Sequence, residues 1–82
     1  MLIENIFDML KNNIVEILPD VSPDSIDING KLVDLGANSI DRMDITIMSM
    51  EELGIKIPLV EFSKVSNIKE LVDILFEHKN KL

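Results

Sequence analysis

Apolar residues recur at three- and four-residue steps in three separate stretches of this chain, and that spacing confines it to a bundle of helices. Ile3, Ile6, Phe7, Leu10, Ile14, Ile17 and Leu18 form the first stripe, and a helix gathers residues so spaced onto one face. Glu4, Asp8, Lys11, Asn12 and Glu16 fall mostly on the other face. The pattern predicts a helix from about Leu2 to Leu18, ended by Pro19, which disfavours helical geometry at the residue before it. Ile40, Met43, Ile47, Met50 and Leu53 predict a second buried stripe. Its helix opens near Asn38 or Ser39 and stops at Gly54, a natural helix terminator. Ile68, Leu71, Val72, Leu75 and Phe76 give a third apolar face, running to about Glu77 behind a cap at Ser66 or Asn67. The tail from His78 to Leu82 is expected to fray.

The connections are unequal. Pro19 to Asn38 reads as a long loop holding Pro19, Pro23, Gly30 and Gly36. A loop of that length needs pinning in a compact domain. Val21, Ile26, Ile28, Leu32, Val33 and Leu35 are the residues available to do it. Ser22 to Ser25 can form one helical turn, Ile55 to Pro58 should be extended, and Val60 to Lys64 reads as a short helical turn. Strands do not alternate with helices, which argues against a βαβ sheet. The expected fold is all-α: three main helices plus one short helix, a long first loop, and a single domain over residues 1–82.

The chain has 82 residues, so its core is small. Phe7, Phe62 and Phe76 are the only aromatic residues, so that core must be aliphatic. Fifteen acids against eight bases leave a formal charge of −7, which repels nucleic acid and anionic membrane surfaces. The acidity suits a basic protein partner, or serves solubility alone. The absence of cysteine excludes disulfides, thiolate catalysis and cysteine-type zinc sites, and it suits a reducing cytosol. Glu4 and Asp8 interrupt the N-terminal apolar residues and no basic residue precedes them, unlike a signal peptide. No stretch is long and apolar enough to span a bilayer. The expectation is a soluble cytoplasmic protein with no membrane insertion, and the even spread of charge points to a monomer.

Constellations able to do chemistry are few. The single histidine, His78, lies near an end expected to fray and reads as a solvated surface residue. Asp27-Ile28-Asn29-Gly30 resembles the centre of a calcium loop, but the register places Gly36 where a bidentate Glu is required. That stretch therefore reads as an Asn-Gly turn. Gly54-Ile55-Lys56 lacks the first glycine and the Ser or Thr of a phosphate-binding loop. What remains is Leu35-Gly36-Ala37-Asn38-Ser39-Ile40-Asp41, where a glycine closes a loop and a serine opens a helix. Asn38 and Asp41 stand in an arrangement that can satisfy the free amides of a helix start. On local chemistry alone Ser39 reads as a cap, a role serine favours.

The order of elements and this segment together resemble the acyl carrier proteins. Leu35-Gly36-Ala37-Asn38-Ser39-Ile40 matches the family's L-G-x-D-S-L motif. Glu51-Glu52-Leu53-Gly54-Ile55-Lys56-Ile57-Pro58 looks like its E-E-x-F-x-I-x-I-P stretch, and Val65-Ser66-Asn67-Ile68 like the opening of its last helix. The resemblance covers nearly the whole chain. It implies that Ser39 carries 4′-phosphopantetheine, transferred from coenzyme A by a phosphopantetheinyl transferase, and that the protein holds acyl groups without catalysing a reaction. Asn38 and Ile40 depart from the family's Asp and Leu. Asn keeps the capping ability and loses a charge, which bears on which transferase accepts the protein.

Arg42, three residues after the serine, together with Met48, Met50-Glu51-Glu52-Leu53 and Ile57-Pro58, resembles a subgroup: the free-standing carriers of polyketide β-branching cassettes. Membership implies an acetyl cargo made from malonyl. Its partners would be an acyltransferase, a decarboxylating ketosynthase and a hydroxymethylglutaryl-CoA-synthase-like enzyme. The resemblance also implies docking along the second helix. There Asp41, Asp44, Glu51 and Glu52 supply negative charge, Arg42 breaks the run, and Met48 offers a soft apolar contact, as does Met43 unless it packs in the core, the reading its spacing favours. Carriers of fatty-acid synthesis, peptidyl carriers and D-alanyl carriers stay open within the class. Outside it stands an unmodified acidic helical interaction module in which Ser39 is only a cap. A small enzyme is disfavoured, because the chain offers no base–nucleophile pair.

Overall fold

The computed structural model describes residues 2–81; Met1 and Leu82, with the end of the expected tail, lie outside the described residues. Three α-helices account for most of the chain: α1 at Ile3–Ile17, α2 at Ser39–Leu53 and α3 at Ile68–Asn80. Single 3-10 turns occupy Pro23–Ser25, Leu32–Leu35 and Leu59–Lys64. No strand occurs among the described residues. The three helices and the turns at Pro23–Ser25 and Leu59–Lys64 follow the sequence expectation. The turn at Leu32–Leu35 does not, since its residues carry no capping signal and the stretch reads locally as loop.

α1 is the common partner, packing against both α2 and α3. It contributes Ile6, Leu10 and Ile14, all fully buried, while Ile3 at its first turn stays partly in solvent. α3 contributes Ile68, Leu71, Val72 and Leu75. Ile26, Ile55 and Ile57 complete the core from the connections. Lys56, between the last two, points to solvent, the alternation of an extended segment. The core is aliphatic, and Phe7, Phe62 and Phe76 pack against its edge.

α2 presents a different face from the one its apolar spacing predicts. Its buried residues are Ile45, Thr46, Ser49 and Leu53. Ile40 and Met43, placed in the buried stripe by the sequence, are 69% and 50% exposed. Ile47 is half-buried, and Met50 packs against the core's edge. Two hydroxyl residues can lie inside because each is satisfied. Thr46 Oγ1 donates to the Arg42 carbonyl at 2.9 Å, and Ser49 Oγ to the Ile45 carbonyl at 2.8 Å. Ser49 Oγ also accepts from Nδ2 of Asn13, which is buried on α1, at 3.0 Å.

The long first connection is anchored at both ends of its course. Val21, Ile28, Leu32 and Leu35 pack on the core as expected, but Val33 is 52% exposed. The Asp27 carboxylate accepts from the Asn29 amide at 2.9 Å, closing a turn, and the Gly30 carbonyl accepts from the Ile68 amide at 2.9 Å. The first loop is thereby fastened to the start of α3. The C-terminal end also departs from expectation: α3 continues as helix to Asn80. His78 is half-buried, with a ring nitrogen 3.1 Å from the Ile74 carbonyl and Nε2 3.8 Å from Glu61. Lys79 Nζ donates to the Leu53 carbonyl at 2.9 Å, tying α3 to the end of α2. These tertiary anchors hold a segment whose sequence alone reads as a loose tail.

Candidate functional site

The segment entering α2 is shaped by one glycine. Gly36 adopts φ +97°, a left-handed conformation, while its amide and that of Ala37 bond the Val33 and Leu32 carbonyls at 3.1 and 3.2 Å. A side chain there would be strained. The turn delivers Ala37 into the core, where it is 2% exposed, and leaves Asn38 at the helix start.

Asn38 is the cap. Its Oδ1 accepts from the Asp41 amide at 2.8 Å, and Asp41 Oδ2 accepts from the Asn38 amide at 3.2 Å. The Arg42 amide makes the first helical bond, to the Asn38 carbonyl, at 3.0 Å. Ser39 is therefore the first residue of the helix, and the capping role that local chemistry suggested for it belongs to its neighbour. The Ser39 side chain is exposed, and its hydroxyl has no hydrogen-bond partner among the described residues. The amides of Ser39 and Ile40 are likewise without protein partners.

This arrangement offers an external enzyme a hydroxyl on a rigid base. Among the described residues no histidine or carboxylate hydrogen-bonds the Ser39 hydroxyl. Among the described residues no group of three or more His, Asp or Glu gathers to hold a metal ion. The free amides and the positive end of the helix dipole suit a phosphodiester on Ser39, so these residues fit a phosphopantetheine group.

The remaining site residues divide between two sides of α2. Asp44, Glu51 and Glu52 are exposed, Asp41 is half-buried by its capping role, and Met48 is half-buried. None of these acids makes an ion pair within the described residues. Arg42 does not interrupt their row. It is exposed and lines a groove of about 420 Å³ between α2 and the Leu59–Asn67 stretch. Val33, Met43, Leu59 and Phe62 supply apolar walls to the same groove. The sequence reading missed this groove. Its available signal was Leu59, an apolar residue of a short turn that lines the groove and is 48% exposed.

The chain is similar to known proteins over nearly its whole length. The phosphopantetheine attachment site family matches residues 9–75. The chain is 42% identical over 74 residues to AcpK, a polyketide biosynthesis acyl carrier protein of Bacillus subtilis, covering 90% of each chain. It is 36% identical over 77 residues to an acyl carrier protein of Campylobacter hominis, covering 93% of this chain and 95% of that one. Among solved structures, it is similar to a chain of the curacin-pathway HMG synthase in complex with its acetyl donor acyl carrier protein. That match has a TM-score of 0.82 and 34% identity, and covers 93% of this chain and 96% of the other.

Proposed function

Since this chain belongs to the acyl carrier proteins of the phosphopantetheine attachment family, we propose that Ser39 bears the arm and that the cargo is an acetyl unit for polyketide β-branching. The arm, when bound, supplies a terminal thiol that holds the acyl group as a thioester. The observation that carries the assignment to Ser39 is its free hydroxyl at the first position of α2, with capping left to Asn38. A serine engaged as a cap would have to give up its bond to be modified; this one does not.

The acetyl-donor reading draws on the two relatives from polyketide systems, AcpK and the curacin-pathway carrier seen with an HMG synthase. It implies loading by a phosphopantetheinyl transferase and an acyltransferase, processing by a decarboxylating ketosynthase, and delivery to an HMG-CoA-synthase-like enzyme. Every reaction is then performed by a partner on this chain as substrate. Asp41, Asp44, Glu51 and Glu52 form the proposed docking row on α2, with Met48 beside it.

Intact-protein mass spectrometry tests the core of the proposal. Incubated with coenzyme A and a broad-specificity transferase, the wild-type chain should gain one phosphopantetheine and Ser39→Ala none. Modification of the Ala variant would move the site to another serine. Once loaded with acetyl, the carrier should be consumed by an HMG-CoA-synthase-like enzyme in the presence of a β-ketoacyl acceptor. Failure there, after normal loading, would return the chain to a general acyl carrier role.

A further inference from the structure

Arg42 stands where a helix least favours a cation. It is the fourth residue of α2, within the first turn, where the helix dipole favours negative charge. Fifteen acids are present in the chain, yet Arg42 pairs with none of them among the described residues. The nearest acid in sequence, Asp41, is engaged in the reciprocal bonds with Asn38. The guanidinium is left exposed at the groove beside Met43 and Thr46.

Ser39 and Arg42 are three residues apart on one helix, a spacing that makes their side chains surface neighbours. An anion attached to the Ser39 hydroxyl would lie within reach of the guanidinium, whose planar donors suit phosphate oxygens. We propose that Arg42 is a positioning residue for the phosphodiester that joins the arm to Ser39, an inference that rests on Ser39 being the attachment site. The pair fixes the arm's root on the groove side of α2, away from Asp44 and Glu51. It also supplies Arg42 with an anionic partner that Asp41, held in the capping bonds with Asn38, does not provide in the unmodified protein, so modification and Arg42 are energetically coupled.

That coupling is measurable without any partner enzyme. Wild type, Arg42→Gln, Arg42→Lys and Lys31→Gln are compared before and after loading, with mass spectrometry establishing occupancy. Unmodified Arg42→Gln should be at least as stable as unmodified wild type, because it removes a cation from the helix start. Loading should raise the melting temperature of wild type, and Arg42→Gln should lose most of that gain. Arg42→Lys should keep part of it, and about 1 M salt should shrink the difference by screening. The ³¹P resonance of the phosphodiester should shift between loaded wild type and Arg42→Gln. An equal loss of stability in both forms of Arg42→Gln, with an unmoved ³¹P resonance, would reduce Arg42 to a structural side chain. Lys31, the other cation lining the groove, is the control: a larger effect from Lys31→Gln would overturn the assignment to Arg42. Failure of wild type to load would remove the Ser39 assignment and this proposal together, whereas loading without coupling removes this proposal alone.

Discussion

Single atoms decide two features of this molecule, one in the core and one at the entry to α2. Asn13 and Ser49 are both buried, and the bond between them joins α1 to α2. Ser49→Ala removes the acceptor and leaves the Asn13 amide group without it. A buried donor stripped of its partner costs about 1–3 kcal/mol, which urea denaturation should detect. Replacing both residues with apolar ones should cost less than the sum of the single changes, since no polar group is then orphaned. At the entry to α2 the roles of adjacent residues separate cleanly. Asn38→Ala should lower stability by about 1 kcal/mol through loss of the cap. Ser39→Ala should stay within about 0.5 kcal/mol of wild type. If Ser39→Ala proved the costlier of the two, the assignment of the cap to Asn38 would be wrong.

Among the elements, the segment from Leu32 to Asn38 does the most to present Ser39. Gly36 holds φ +97°, and a Cβ built there meets nothing within 4 Å. The penalty for a side chain is thus backbone strain alone, on the order of 1–2 kcal/mol for Gly36→Ala. Gly36→Asn should cost less, because Asn tolerates the left-handed region better. Equal losses by denaturation would point to a steric cause that this geometry does not contain. This part of the site was readable beforehand, since a glycine before a capping Asn-x-x-Asp pair carries its own conformational reason. The orientation of α2 was not. Its apolar residues lie on two faces, and the face that enters the core carries Thr46 and Ser49. Their hydroxyls are satisfied by the helix's own carbonyls and by Asn13, pairings that a periodicity argument does not see. For the same reason apolar spacing alone places Ile40 and Met43 in the core. Sequence alone leaves His78 and Lys79 loose, because their anchors, Glu61 and the Leu53 carbonyl, lie far away in sequence.

α2 carries exposed acids and, along the groove, exposed apolar surface. The formal charge is −7, and Asp44, Glu51 and Glu52 face solvent without ion partners among the described residues. Met43 and Leu59 are half or nearly half exposed along the groove. These two surfaces should act at different stages of an encounter with a basic partner. Unpaired acids act at long range and steer approach, so neutralising them should slow association. Apolar contacts act once the surfaces touch, so truncating them should speed dissociation. The variant Asp44→Asn/Glu51→Gln should therefore reduce the association rate with a phosphopantetheinyl transferase by up to about tenfold at low salt. The deficit should disappear as salt screens the approach, and the dissociation rate should hardly change. Met43→Ala should do the reverse, raising the dissociation rate with little effect of salt. Stopped-flow binding at several ionic strengths separates the two. A salt-independent loss in the charge variant would mean that the acids make close contacts in the bound complex, and the proposed docking row would then be a contact surface more than a steering field.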